Sequence, residues 1–482
     1  MSVKRHTTYN LFGSVVPILI SVLTVPLFLH LVGDTRFGII ALVWIFLGYF
    51  GLFDPGIGRA ASYHIARLHE GSAKDRESIF WTAVVVNLSF GLVAGVVLYL
   101  VAHPFFMSIF KMPEAMRGEV IACLPWLAAF IPISIVTGVL SGVLQAREWF
   151  GVSNAISVSL ALLSQVTPLA VAYFYGPNLT WLIVAILLAR VAGAIPLCIS
   201  VARALPLGAG GSFDWSLVRT LFSYGGWIAV SNLLNPLLTA MDQMLIGSIL
   251  SADAVAYYSV PFNLVSRISV VPGSLSLSLF PKLSRGSTED GRRLASEAVV
   301  GLAAVMTPLV VIGITVMPIF LKIWVGAAFA AHAAPVGMIL LVGMWVNGLS
   351  YIPYVHLQAN NRPDLIAKFH AIEVVPYLVL LWISLHYFGL VGAAGAWTLR
   401  VAVDALLLFG VAGHLDDRWY RVLPGGVIVA IAPFCAPAEW SPSVGFACAL
   451  LAVAVLWSWT VAPSLRSIVK AVFMRLLSLR RS

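Results

Sequence analysis

The sequence predicts an all-α integral membrane protein with about fourteen transmembrane helices. Of its 482 residues, 60% are apolar and only 10% are charged, whereas ordinary globular proteins carry about 25% charged residues. The mean hydropathy is +0.96. Apolar runs of about 20 residues, the length that crosses a bilayer, follow one another along almost the whole chain. These observations exclude a soluble protein with a single core.

The first six helices are bounded by charged or turn-forming residues. Helix 1 follows the basic pair Lys4 and Arg5, and the short turn Gly33–Arg36 separates it from helix 2. Charged residues between Arg59 and Arg76 then end helix 2 and form the first long loop. The predicted ranges are 9–32, 37–58, 79–102, 120–145, 150–175 and 179–202.

The next six helices repeat this arrangement. The two most highly charged loops, Arg59–Arg76 and Lys282–Arg293, each follow the second helix of a six-helix block. Such a repeat of an even number of helices predicts two parallel lobes, with the substrate site between them. We therefore expect an N-terminal lobe at 1–210 and a C-terminal lobe at 211–415. The predicted ranges of helices 7 to 12 are 221–250, 254–281, 298–321, 333–358, 365–388 and 389–413.

The last segment, 416–482, contains two further predicted helices and a basic tail. Helix 13 at 422–438 is the weakest prediction because prolines and a Gly pair, including Pro424, Pro433 and Pro437, interrupt it. Helix 14 at 444–462 is continuous. A core of twelve helices with a loosely attached pair is therefore the alternative. The tail suits either an interfacial helix on anionic lipids or an ordinary positively charged anchor.

The distribution of charge predicts the orientation. With the N-terminus inside, 22 of the 29 Lys and Arg residues fall on the inner side, four on the outer side and three within helices. Basic residues concentrate in cytoplasmic loops, so both termini are expected in the cytoplasm. The net charge of +9 is explained in this way, and we expect no nucleic-acid partner. The sequence contains no ATP-binding loop, paired cysteines or zinc motif, so no cofactor or metal is expected.

Several ionisable residues lie inside predicted helices, where a charge needs a partner or water. Arg190 and Arg267 lack an obvious partner nearby in the sequence, and a guanidinium in a water-filled cleft is a good phosphate ligand. Asp242 and Glu373 are candidates for carboxylates that gain and lose a proton. An interhelical ion pair between one of them and an arginine is the other interpretation.

A second pair of charges lies within helix 12. Arg400 and Asp404 are four residues apart, which places them on one face of the helix. We predict a structural ion pair between them. At the inner edge of helix 2, Arg59 follows the helix-breaking segment 54–58 and is a further candidate cation.

Four segments, in this order and spacing, resemble a known family of membrane proteins. The chain is similar to bacterial polysaccharide biosynthesis flippases, the translocases of O-antigen and exopolysaccharide units. Their superfamily also contains multidrug and toxin extrusion antiporters and the lipid II flippase. The segments that carry the resemblance are Leu52–Ala60, Tyr224–Gly247, Val271–Ser284 and Gly389–Arg400.

The resemblance implies fourteen helices in two lobes around a central cationic cavity. It also implies that the substrate is an oligosaccharide on undecaprenyl diphosphate, flipped across the bacterial inner membrane by alternating access. By their positions in the helices, Arg59, Arg190 and Arg267 are the predicted cations for the diphosphate. Asp242 or Glu373 is the predicted group for coupling to H⁺ or Na⁺. A polysaccharide polymerase and chain-length machinery are the expected protein partners.

Two other functions are the alternatives. A multidrug antiporter would share the fold, but a cationic drug requires an acidic or aromatic cavity, and this chain has as many intramembrane arginines as free carboxylates. An integral membrane polymerase or glycosyltransferase usually needs a large outer loop with acid and base residues. Only short outer turns are predicted here, so a transporter is favoured over an enzyme.

Overall fold

The computed structural model describes most of the chain as helices. It describes residues 3–49, 57–68, 73–147, 149–205, 208, 210–219, 241–283, 288–360, 362–413, 419–436 and 443–462. The first two thirds of predicted helix 7 and the basic tail lie outside these ranges. Within them the longer helices are α1 (Val3–Tyr49), α2 (Ile57–Arg67), α3 (Ala73–Pro104), α4 (Glu114–Ala146), α5 (Phe150–Tyr175), α6 (Leu179–Ala204), α7 (Ala252–Ser266), α8 (Val270–Leu283), α9 (Thr288–Val325), α10 (Ala327–Ala359), α11 (Pro363–Ala412), α12 (Trp419–Ile431) and α13 (Ser443–Val461).

Two of the longest helices each extend over two predicted spans: α1 covers helix 1 and the first part of helix 2, and α11 covers helices 11 and 12. The backbone of α1 breaks at Gly33, where φ is +78°, and that of α11 breaks at Gly389, where φ is +59°. Positive φ is readily adopted only by glycine. The breaks lie where the sequence predicts the turns between helices 1 and 2 and between helices 11 and 12. Nine helices in the described ranges are long and apolar enough to cross a membrane, and α1 and α11 contribute to this number.

The predicted all-α membrane fold is confirmed. Helices 3 to 6, 9, 10 and 14 of the prediction correspond to α3 to α6, α9, α10 and α13, and helix 8 corresponds to α7 and α8. Helix 13 forms as the short α12 followed by a 3-10 turn at Ala432–Cys435, because Pro433 cannot continue α-helical hydrogen bonding. Both helices of this last pair pack against α9; Gly425 lies beside Thr307 and Trp457.

One predicted loop is wrong. The sequence interpretation ended helix 2 at residue 58 and placed a loop after it, but residues Ile57–Arg67 form α2. Ile57, Ala60, Ala61 and Ile65 are buried and belong to a core cluster that also includes α4. Their spacing places them on one face of a helix. The segment contains charged and polar residues between these apolar ones, so an interpretation based on charge alone predicts a loop.

The described residues divide into two compact units, Met1–Ala256 and Tyr257–Ser482. The predicted lobe boundary at 210 and the separate final segment from 416 stay predictions.

In the first unit, α3 and α4 approach each other closely at small residues. A β-carbon on Gly91 would lie 2.5 Å from the Cα of Pro132, and one on Gly95 would lie 2.5 Å from the carbonyl oxygen of Ala128. Pro132 has no N–H, so it cannot bond to the Ala128 carbonyl four residues earlier. The freed carbonyl faces Gly95 instead. Glycine therefore sets the distance between the two helices.

Replacing Gly91 with alanine should destabilise the protein by about 1–3 kcal/mol, the usual cost of forcing a methyl group into a packed interior. Thermal unfolding in detergent measures this. Gly118→Ala on α4 is the control, because nothing lies within 4 Å of its β-carbon position, and helix propensity alone predicts a slight gain. Equal melting temperatures for the two variants would contradict the packing argument.

The connector after α6 is anchored to the start of α3. Glu77 is only 5% exposed, and its two carboxylate oxygens accept hydrogen bonds from the backbone N–H groups of Gly208, at 2.7 Å, and Gly211, at 2.8 Å. The hydroxyl of Thr82 accepts a further hydrogen bond from the N–H of Asp214 at 3.0 Å. Hydrogen bonds donated by N–H groups are what a buried carboxylate requires. Gly208, Gly211 and Asp214 are thereby held against α3.

A short helix follows this connector, and Asp214 caps its first turn. The hydroxyl and the backbone N–H of Ser216 donate hydrogen bonds to Asp214 Oδ1 at 2.7 and 2.8 Å. These bonds, led by the one from the side chain, lower the pKa of Asp214 below its usual value. The carboxylate thus stays ionised at the positive end of the helix dipole.

Candidate functional site

The strongest concentration of buried charge lies on the two arms of α11. Arg400 Nε is 3.5 Å from Glu373 Oε2, and His370 Nε2 is 3.7 Å from Asp404 Oδ1. The numbers of the paired residues fall on one arm as they rise on the other, so the arms run antiparallel from the break at Gly389. We call His370, Glu373, Arg400 and Asp404 the α11 cluster.

The predicted pair between Arg400 and Asp404 stays a prediction. Each of the two residues has an ion-pair partner on the other arm of α11, and Arg400 also acts electrostatically on Asp404. The turn at Gly389 brings the first arm alongside the second and offers the Glu373 carboxylate to the guanidinium. The interpretation of Glu373 as an ion-pair partner of an arginine is the one that the structure contains.

The α11 cluster is buried but poorly hydrogen-bonded. Glu373 is 6% exposed and Asp404 is 8% exposed. Both oxygens of Glu373, Oδ1 of Asp404 and Nε of Arg400 are buried and make no hydrogen bond within the described part of the chain. The guanidinium of Arg400 also lies 5.3 Å from the centre of the Tyr377 ring. Buried polar atoms normally find hydrogen-bond partners, so this cluster has unused capacity to bind a small charged species.

Arg190 has a different environment in the middle of α6. Its side chain is partly buried, its Nε makes no hydrogen bond, and its guanidinium carbon lies 5.8 Å from the centre of the Phe130 ring on α4. No ion pair to Arg190 is found among the residues that the structure describes. A charge in this position costs at least about 2.5–3.5 kcal/mol in a bilayer, so it indicates a requirement for an anionic or aqueous partner.

A comparison of the two arginines shows why one is neutralised and the other is not. Both begin an Arg-Val-Ala sequence, at Arg190–Ala192 and Arg400–Ala402, on helices that the predicted repeat makes equivalent. Arg400 faces Glu373 on the preceding helix. The helix that precedes Arg190 is α5, whose sequence contains no charged residue. Arg190 therefore has no equivalent of Glu373.

The other predicted site residues are more dispersed. Arg267 is exposed in the 3-10 turn Arg267–Ser269 between α7 and α8, and no ion pair to it occurs in the described ranges. Asp242 is 1% exposed and has an interaction partner inside the protein. Arg59 lies on α2, and its side chain is outside the described residues. Arg59, Arg190 and Asp242 belong to the first unit, and Arg267 and Glu373 to the second.

Sequence reasoning missed His370 and Tyr377. Together with Glu373 they have spacings of three and four residues, which places all three along one face of the first arm of α11. A search for polar residues at helical spacing around Glu373 would have found them. A search for isolated intramembrane charges identifies Glu373 but not these two residues.

Comparison with known proteins gives the family. A sequence profile described as polysaccharide biosynthesis protein matches residues 3–287, which is more than half of the chain. The chain belongs to this family. The resemblance noted from four short segments is thereby confirmed.

Two relatives of this family member carry functional names. A putative O-antigen transporter of Shigella flexneri is 28% identical over 410 residues, covering 85% of this chain and 97% of that protein. A probable low-salt glycan biosynthesis flippase, Agl15, of Haloferax volcanii is 28% identical over 201 residues, covering 39% of this chain and 41% of that protein.

Solved structures show that the fold is that of known transporters. An inward-facing multidrug resistance MATE family transporter of the MOP superfamily has a TM-score of 0.67 at 16% identity, covering 90% of this chain and 96% of that one. The lipid II flippase MurJ in its inward closed conformation has a TM-score of 0.64 at 11% identity, covering 96% of this chain and 99% of that one. This family member is therefore a multi-pass membrane protein with the transporter fold.

Proposed function

We propose that this protein flips an oligosaccharide linked to undecaprenyl diphosphate from the cytoplasmic to the periplasmic leaflet of the bacterial inner membrane. The observation that carries the proposal is Arg190, a cation in the middle of a transmembrane helix with no carboxylate partner among the described residues. A diphosphate supplies the missing anion. The names of the relatives, an O-antigen transporter and a glycan biosynthesis flippase, support the same substrate class.

The diphosphate is the part of the substrate that a bilayer resists most, because it is charged. A guanidinium presents two parallel N–H donors that match two phosphate oxygens. In the proposed cycle Arg190 binds the diphosphate while the sugars occupy water and the lipid tail stays in the bilayer. Arg267, which is exposed, and Arg59 are further proposed contacts along the path.

Alternating access requires a source of free energy if flipping is to be directional. We propose an ion gradient as that source, with H⁺ or Na⁺ as the ion and Asp242 or Glu373 as the coupling group. The location of Glu373 in the poorly hydrogen-bonded α11 cluster supports this residue. A cationic drug is the less favourable cargo because Arg190 would repel it, even though MATE transporters have the same fold. The proposed role is transport, without a chemical change to the substrate.

The function is tested by lipid analysis of a strain that lacks this protein. We expect undecaprenyl diphosphate oligosaccharide to accumulate with its sugars inaccessible from the periplasm, and expression of the wild-type protein to reverse this. If complete repeat units reach the periplasmic face at the normal rate but remain unpolymerised, the proposal is wrong and the protein acts in polymerisation.

A further inference from the structure

We propose that the α11 cluster binds one proton, shared between the Asp404 carboxylate and the His370 imidazole, and that this proton is the coupling ion. The coupling role rests on the proposed transport function, whereas proton binding does not. Glu373 belongs to the same cluster and pairs with Arg400.

The first argument is the balance of charge. The cluster contains two carboxylates and one guanidinium, so one negative charge is uncompensated when His370 is neutral. Arg400 Nε lies 3.5 Å from Glu373 Oε2, and Arg400 also acts electrostatically on Asp404. The two carboxylates act on each other as well, so the uncompensated negative charge is shared between Glu373 and Asp404. Uptake of one proton from water makes the whole cluster neutral, which is the form that an interior in lipid favours.

The second argument is geometric. Asp404 Oδ1 lies 3.7 Å from His370 Nε2, and it makes no hydrogen bond in the described ranges. A proton on either atom would let the two draw together into a charge-assisted hydrogen bond. The side chain of His370 is 16% exposed and that of Asp404 is 11% exposed. His370 is thus the slightly more exposed member of the pair.

The groups around the pair favour a proton over Na⁺. Hard cations bind most favourably to sets of oxygen ligands. Here a ring nitrogen, His370 Nε2, lies 3.7 Å from the unsatisfied Asp404 oxygen, and the guanidinium of Arg400 would repel a metal cation. An imidazole and a carboxylate at this distance can instead hold one proton between them.

The remaining titratable groups near the cluster are few. Helix α10 packs against α11, and from it Tyr354 interacts electrostatically with Asp404. Tyr377 lies on the other side of Arg400. Near the start of α11, Asp364 and Lys368 form an exposed ion pair outside the cluster. Outside the cluster, the titratable groups that the described residues bring near it are therefore the hydroxyl of Tyr354, beside Asp404, and that of Tyr377, beside Arg400.

Proton binding can be tested without a substrate. The full-length protein in detergent, labelled with ¹⁵N-histidine, is titrated by NMR between about pH 5 and pH 8, where histidines change charge. We expect one imidazole signal to be absent in His370→Gln and to titrate at a different pH in Asp404→Asn. His386→Gln is the matched control, because His386 lies on the same arm and is exposed. If the signal assigned to His370 does not titrate, or does not respond to Asp404→Asn, the proposal is overturned.

The coupling role is tested in proteoliposomes with undecaprenyl diphosphate oligosaccharide as the substrate. In the wild-type protein a pH gradient should stimulate flipping, and in Asp404→Asn the ratio of rates with and without the gradient should fall to one. His386→Gln should keep the wild-type ratio. Stimulation by a Na⁺ gradient at equal pH, with no response to a pH gradient, would refute proton coupling. Absence of any flipping by the wild-type protein would refute the proposed function and leave the NMR result to decide proton binding.

Folding of the variants is checked independently. Asp404→Glu keeps the charge. In this variant the His370 imidazole should therefore titrate as in the wild-type protein, and the ratio of flipping rates with and without the pH gradient should stay above one. If Asp404→Asn fails to fold, His370→Gln provides the same transport test, because it removes the other half of the pair from a more exposed position. An unchanged response to the pH gradient in a folded His370→Gln protein would overturn the assignment.

Discussion

Replacing Arg190 with glutamine should reduce flipping of undecaprenyl diphosphate oligosaccharide by about 10- to 150-fold, the equivalent of about 1.5–3 kcal/mol for hydrogen bonds to a charged group. Glutamine keeps most of the length and polarity of the side chain but removes the charge that the diphosphate would meet. Arg190→Lys should give an intermediate rate, because an ammonium keeps the charge without the two parallel donors. The measurement is the initial rate of flipping in proteoliposomes.

The matched control is Arg203→Gln on the same helix. Arg203 is exposed in the last turn of α6, so it can be hydrated without a ligand. We expect a rate close to that of the wild-type protein. If Arg190→Gln flips substrate as fast as Arg203→Gln, Arg190 does not bind the diphosphate, and the proposal of a diphosphate site on α6 is wrong.

Removing one member of the Arg400–Glu373 pair should have the largest effect on stability. Arg400→Met leaves the buried Glu373 carboxylate without its counterion, and breaking a buried pair in this way costs about 3–5 kcal/mol. The free energy of unfolding in detergent should fall accordingly. The double variant Arg400→Met, Glu373→Met should recover most of the loss, because no unpaired charge remains at this position.

The control for this prediction is Arg421→Gln. Arg421 is exposed at the start of α12 and contacts only the neighbouring Tyr420 in the polar contacts described. Its replacement should change stability by less than about 0.5 kcal/mol. A double variant that is no more stable than Arg400→Met alone would mean that the pair is not the energetic unit, and that Asp404 or His370 depends on Arg400 as well.

The sequence was sufficient to predict most of the helices, but not which charged side chains pair with one another. The spans follow from local hydropathy, and the turns at Gly33 and Gly389 follow from glycine beside short polar or small segments. Helix α2 was missed because its apolar face, including Ile57 and Ile65, is interrupted by polar residues, and hydropathy averages the two faces. Only an analysis of helical spacing separates them.

The charge pairs show that a local sequence pattern also fails to identify contacts between residues far apart in the sequence. Arg400 and Asp404 are obvious partners along one helix, and a search by sequence proximity selects them. The turn at Gly389 instead places residues 27 and 34 positions apart in contact, and no local pattern contains that information. For Arg190 the sequence could identify an intramembrane charge. That it has no ion-pair partner among the described residues depends on which helices surround it, and this required the structure.

The anchor formed by Glu77 determines how the chain can be divided for experiments. If the protein is produced as two co-expressed fragments, a cut before Gly208 removes both N–H donors from a buried carboxylate. The N-terminal fragment would then have to protonate or expose Glu77, and we would expect a misfolded product. A cut after Ser216 leaves those hydrogen bonds and the Asp214 cap within one polypeptide. The N-terminal piece therefore has to carry its own connector, and affinity tags or fluorescent proteins inserted for labelling belong beyond it.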